Sequence, residues 1–77
     1  MDKDSLFLAA SRKYGLTNRE TEIIALVCEG KSNRNIAEES FVTVATVKFH
    51  IKNILRKMQV TNRYEAALLV RTLSAGG

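Results

Sequence analysis

Apolar residues in this chain recur at three- and four-residue intervals in short blocks, each opened by a small polar residue and closed by glycine or a polar stop. Ile23, Ile24, Leu26 and Val27 mark one buried face. Val47, Ile51, Ile54 and Met58, flanked by Leu55, mark another, and Ala66, Leu69, Val70 and Leu73 a third. A period near 3.6 predicts amphipathic helices. The first is expected over residues 4–14, with Leu6, Ala10 and Lys13 at helical spacing and Gly15 just past its end. Thr17 and Glu20 read as a capping box opening a second helix, which Gly30 stops. Ser32 caps a short third helix through Ile36 and Ala37 to about Glu39, and residues 40–42 form a link. Thr43 opens a long helix reaching about Met58. Asn62 and Glu65 repeat the capping pattern before a last helix over 66–73, and the tail 74–77 is expected to fray.

Composition narrows the class. Seventy-seven residues make one small domain, and 45% hydrophobic with 26% charged residues is ordinary for a globular chain. There is no proline and there are five Phe and Tyr residues, against a turn-rich β-sandwich or barrel. The expected class is all-α. No apolar run nears the ~18 residues of a membrane span, and acids stand beside Lys3 where a signal peptide would be basic, so no membrane partner and a cytoplasmic location are expected. Cys28 is the single cysteine and His50 the single histidine, so neither an internal disulfide nor a Cys/His zinc cluster is expected. No catalytic set, metal cluster, Gly-rich phosphate loop, cofactor or small-molecule ligand can be assembled from these residues.

The net charge of +4 is modest, but it is unevenly placed. Residues 1–39 carry −1, residues 65–77 carry 0, and the segment 40–64 holds Lys48, Lys52, Arg56, Lys57 and Arg63 with no acid. On the long helix, Ala45, Lys48, Phe49, Lys52 and Arg56 lie opposite the core stripe. A merely solvated face usually carries acids to pair with its bases; this one has none. Phe49 among lysines has no evident folding role unless it packs under a neighbouring loop or the leading helix. A DNA major groove offers it the thymine methyl, and offers lysine the guanine O6 and N7. Two helices joined by a short link, with the small Ala37 at their contact, form either a helix-turn-helix or a plain corner of a bundle. His50 lies between the two faces and reads as a structural or phosphate-directed hydrogen-bonding group. Cys28 reads as a small core residue.

Several linked motifs then carry a family resemblance: Leu16-Thr17-x-Arg19-Glu20-x-Glu22-Ile23, Glu29-Gly30-Lys31-Ser32-Asn33, Ile36-Ala37, Thr46-Val47-Lys48-x-His50-Ile51-x-Asn53-Ile54, Lys57-Met58-x-Val60 and Asn62-Arg63-x-Glu65-Ala66. In this order they resemble the LuxR-type (GerE-like) helix-turn-helix domain of bacterial transcription regulators, which includes the output domains of many response regulators. The resemblance covers residues 16–73. It implies a four-helix domain, here with an additional N-terminal helix in residues 1–15 that is either a linker remnant or a dimerisation helix. It implies a recognition helix over 44–58 in the major groove, with Lys48, Phe49 and Lys52 toward base edges. Ser32, Asn33, Thr43, Thr46, His50, Arg56, Lys57 and Arg63 are expected to position phosphates, and Glu20 is expected to be structural. Family members bind as dimers, often through the last helix, so Leu68, Arg71 and Thr72 are expected at a homodimer contact; packing against the leading helix is the alternative for that apolar surface. The chain departs from the pattern at Ser40, where the family has a core Leu and Phe41 is expected to turn inward to fill the gap. It departs again at Val44, an apolar residue at a commonly polar or acidic position.

The expected function is sequence-specific binding of double-stranded DNA by a transcription regulator or its output domain, with RNA polymerase a further possible partner and no enzymatic activity. The competing reading is a protein-interaction module on the same fold. The leading helix and the apolar last helix favour that reading, and the acid-free basic face opposes it.

Overall fold

The computed structural model describes the backbone of residues 3–75 and the side chains of residues 7–73. The described residues form five helices and no strand: α1 (Lys3–Tyr14), α2 (Asn18–Cys28), α3 (Asn33–Ser40), α4 (Val44–Met58) and α5 (Arg63–Ala75). The all-α architecture with one leading helix is as the sequence implies.

Local chemistry sets most boundaries. Gly15 takes φ +68° after α1, a left-handed conformation that costs a residue without Cβ little, and Leu16 N–H donates to the Ser11 carbonyl at 3.0 Å. The capping box at α2 is complete. Glu20 N–H donates to Thr17 Oγ1 at 3.1 Å, and Thr17 N–H donates back to Glu20 Oε1 at 2.9 Å. Gly30 ends α2 at φ +81°. Ser32 caps α3 by accepting from Asn35 N–H, and Thr43 caps α4 by accepting from Thr46 N–H, both at 3.1 Å.

The start of α5 differs from the expectation. Asn62 does cap it, accepting from Glu65 N–H at 2.9 Å, but the Glu65 carboxylate turns to the Thr61 N–H and hydroxyl instead of the Asn62 N–H. Those two bonds hold that carboxyl below its usual range. The helix therefore begins at Arg63, three residues earlier than its apolar stripe. It also continues through Ser74 and Ala75, which shortens the expected frayed tail; Gly76 and Gly77 lie outside the described residues.

One core joins all five helices. Phe7 and Ala10 of α1, Ile23, Ile24 and Val27 of α2, Ile36 and Ala37 of α3, Val47, Ile54 and Met58 of α4, and Ala66 and Val70 of α5 are buried together. Ile51, Leu55, Leu69 and Leu73 pack partly against them. The leading helix contacts both α2 and α5, so part of the apolar girth of α5 is covered from within the chain.

Phe41 corrects an expectation. It does not turn inward: it is 94% exposed, at the left-handed C-cap of α3 with φ 57°. The left-handed backbone aims its side chain away from the bundle. Ser40 itself is buried, its carbonyl accepting from Arg19 Nη1 at 3.1 Å, while Val42 packs partly on the core.

Candidate nucleic-acid interface

The outer face of α4 carries Ala45, Lys48, Phe49, Lys52 and Arg56, all exposed, while Val47, Ile54 and Met58 anchor the opposite side. Among the described residues no acid pairs with Lys48, Lys52 or Arg56; Arg56 donates instead to Asn53 Oδ1 at 3.3 Å. The first turn of α4 contains no acid either, so its positive dipole end is uncompensated. Phe49 is 61% exposed and lies outside the core cluster. Its ring meets the His50 ring edge-on, centroids 5.7 Å apart at 64°. Among the described residues neither a loop nor the leading helix buries it.

Polar groups stand on both flanks of this face. At the start of α4 the Thr43 and Thr46 hydroxyls share a hydrogen bond of 3.0 Å. His50 follows Thr46 one turn on and is half-buried, with Nδ1 buried and without a hydrogen-bond partner. On the other flank the starts of α3 and α5 meet. Arg63 Nη1 donates to Asn33 Oδ1 at 2.5 Å and Nη2 to the Lys31 carbonyl at 3.2 Å. A shallow groove runs between these residues and α4, floored by Ile51, Leu55 and Val60 and rimmed by Lys48, Lys52, Asn33 and Arg63. Because Arg63 occupies Asn33 Oδ1, the two amide hydrogens of Asn33 are left to other acceptors.

Lys57 sits elsewhere. Expected at a phosphate, it has its Nζ 2.6 Å from Glu20 Oε1. The Glu20 side chain is 4% exposed and that of Lys57 28%. Burial pushes the Glu20 carboxyl up, but the hydrogen bond from Lys57, the Thr17 N–H, the Lys57 charge and the Thr17 hydroxyl outweigh it and hold the group below its ordinary value. The pair compensates the Lys57 charge and ties α4 to α2. On the helical projection Lys57 lies about 100° from both Arg56 and Met58, on the flank that carries Thr46 and His50. Sequence reasoning assigned Glu20 a structural place but missed its partner.

On α5, Leu68 is 59% exposed, and Arg71, Thr72 and Tyr64 are exposed along the same side. The Thr72 hydroxyl donates to the Leu69 carbonyl at 2.6 Å. Tyr64, not anticipated from the sequence, lies one turn before Leu68. Cys28 is half-buried beside the core, and burial, with the Glu29 charge and against that of Arg71, pushes its thiol up. Among the described residues no group of His, Cys, Asp and Glu could hold a metal ion, and no helix is long and apolar enough to cross a membrane.

Residues 14–70, well over half of the chain, match the family model described as bacterial regulatory proteins, luxR family. Over 53 residues the chain is 55% identical to the transcriptional regulatory protein LiaR of Bacillus subtilis (strain 168). It is 47% identical over 53 residues to the response regulator protein VraR of Staphylococcus aureus (strain NCTC 8325 / PS 47) and to VraR of Staphylococcus epidermidis. In each case the similarity covers 69% of this chain and 25% of the relative. The chain thus spans about a quarter of the length of the curated relatives it matches.

Proposed function

Because the chain belongs to the luxR family of bacterial regulatory proteins, we propose that it binds double-stranded DNA as the DNA-binding part of a transcription regulator, of the response-regulator kind named among its relatives. The observation that carries this reading is the acid-free outer face of α4, where three unpaired bases and an exposed aromatic ring lie together between two polar flanks. A solvated scaffold helix has no use for that combination, and a major groove uses all of it.

In this reading α4 enters the major groove with Lys48, Phe49 and Lys52 against base edges. Thr43, Thr46 and His50 meet the backbone on one side and Ser32, Asn33 and Arg63 on the other, with Arg56 toward a phosphate at the far end of the face. Arg63 has a second duty, since its bonds to Asn33 and Lys31 aim the Asn33 amide outward. Lys57 is left out of the phosphate set and assigned to holding α4 on α2. Two copies pair through the exposed stripe of Tyr64, Leu68, Arg71 and Thr72, giving a homodimer on an inverted repeat.

Mobility shift against random and selected duplexes over a salt series tests the reading. A phosphate binder loses affinity steeply as salt rises, and a sequence reader holds selected sites more tightly than random ones. Failure to bind any duplex at low salt would overturn it.

A further inference from the structure

The outer face of α4 is divided along its length. Its first two turns present Ala45 and Phe49, both exposed and apolar, beside a single charge at Lys48. The later turns present Lys52 and Arg56. We infer that the duplex this chain selects carries thymine where the first two turns of α4 meet it, and that Phe49, with Ala45 beside it, reads the thymine 5-methyl group. The inference rests on the DNA-binding reading above and adds the base chemistry to it.

The chemistry leaves few alternatives for Phe49. A phenyl ring neither donates nor accepts a conventional hydrogen bond, so against guanine, cytosine or the adenine amino edge it would strip water from polar atoms and give nothing back. The thymine methyl is the one apolar group that the major groove displays. The ring also has a neighbour on its own helix, the His50 ring, which meets it edge-on at 5.7 Å, and His50 Nδ1 is buried. Ala45 stands one turn earlier on the same face, small enough to let the backbone approach and apolar enough to tolerate a second methyl. Lys48 and Lys52, on either side of Phe49 along the face, suit guanine neighbours, so the implied core of a half-site is mixed thymine and guanine.

The test replaces thymine by deoxyuridine, which removes only the methyl, at one position at a time in a duplex selected by the 77-residue chain. One or two positions are expected to lose about three- to fivefold in affinity, the scale of one buried methyl group. Phe49→Ala is expected to bind the thymine duplex as weakly as the unsubstituted chain binds the deoxyuridine one, and to lose the distinction between them. Phe49 is outside the core, so the variant should keep the parent melting temperature, and Phe49→Leu should keep part of the discrimination. Tight binding to a selected duplex that is indifferent to every deoxyuridine would overturn the inference and leave DNA binding standing. Discrimination that survives in Phe49→Ala would overturn the assignment to Phe49. Absence of binding to any duplex would bring down both.

Discussion

Lys57 near the end of α4 and Glu20 in the first turn of α2 are joined through a 2.6 Å contact between ammonium and carboxylate across 37 residues of sequence. The same Glu20 oxygen accepts the Thr17 N–H, so one buried carboxylate both caps α2 and holds α4 against it. Lys57→Ala should cost about 2–4 kcal/mol of stability, because it leaves a buried carboxylate short of its counter-charge. The double variant Glu20→Gln, Lys57→Met should lose clearly less than the sum of the single changes, as chemical denaturation of all the variants would show. At a temperature where Lys57→Ala is folded, its DNA affinity should fall with salt at the parent slope; a slope lower by about one would return Lys57 to the phosphate set.

Acid should weaken the fold through the same group. The folded-state carboxyl of Glu20 lies below its ordinary value of 4.5, so its stabilising contribution is complete above that value and is lost as pH falls through the lower, folded one. Glu65, lowered by its bonds to Thr61, acts in the same direction. The melting temperature should therefore fall as pH is taken from 5 toward 3. Glu20→Gln, already less stable at neutral pH, should show a shallower fall; an equal fall would move the acid sensitivity to other groups.

Gln59 ends α4 in a left-handed conformation, φ 58°, as Phe41 ends α3. Both are side-chain-bearing residues where a glycine relieves contact between Cβ and the backbone. Gln59→Gly should raise stability by about 0.5–1 kcal/mol, read from the denaturation midpoint. Phe41→Gly should gain a similar amount, since its ring is exposed and little packing is lost with it.

Base reading and phosphate contact separate in binding data. Lys48→Ala or Lys52→Ala should cost about 1–3 kcal/mol on a selected site and relax preference at one position. Arg56→Ala should weaken all duplexes alike and lower the salt slope by about one. Indistinguishable effects of Lys48→Ala and Arg56→Ala on selected and random DNA would break the assignment of roles.

Pairing through α5 should place two half-sites about one helical turn, roughly 10 base pairs, apart. Leu68→Glu should abolish cooperative binding to the inverted repeat while sparing the half-site. Sedimentation that finds a monomer at high concentration, both free and on inverted-repeat DNA, would remove the dimer.

The helices, the capping box at Thr17 and Glu20, the caps at Ser32 and Thr43 and the buried stripe of α4 were legible because each is fixed by residues within a few positions of one another. The basic face was legible for the same reason, being one side of one helix. What escaped were contacts between elements: Lys57 with Glu20, and Arg63 with Asn33 across 30 residues. A helical projection shows that Lys57 leaves the basic face but not which carboxylate awaits it. Phe41 escaped for a different reason. A missing core leucine at Ser40 suggests that the adjacent aromatic fills the gap, whereas the backbone at the α3 cap turned left-handed and sent the ring to solvent.

Arg63 stands at the first residue of α5 and grips the start of α3, while the exposed stripe of Leu68 and Arg71 lies one to two turns further along the same rod. In a pair formed through that stripe, each copy's grip on the groove wall is rigidly geared to its neighbour through a single helix. The assembly would then work as a fixed-jaw gauge: it measures the distance between half-sites, and a repeat lengthened by even one base pair should be refused rather than accommodated.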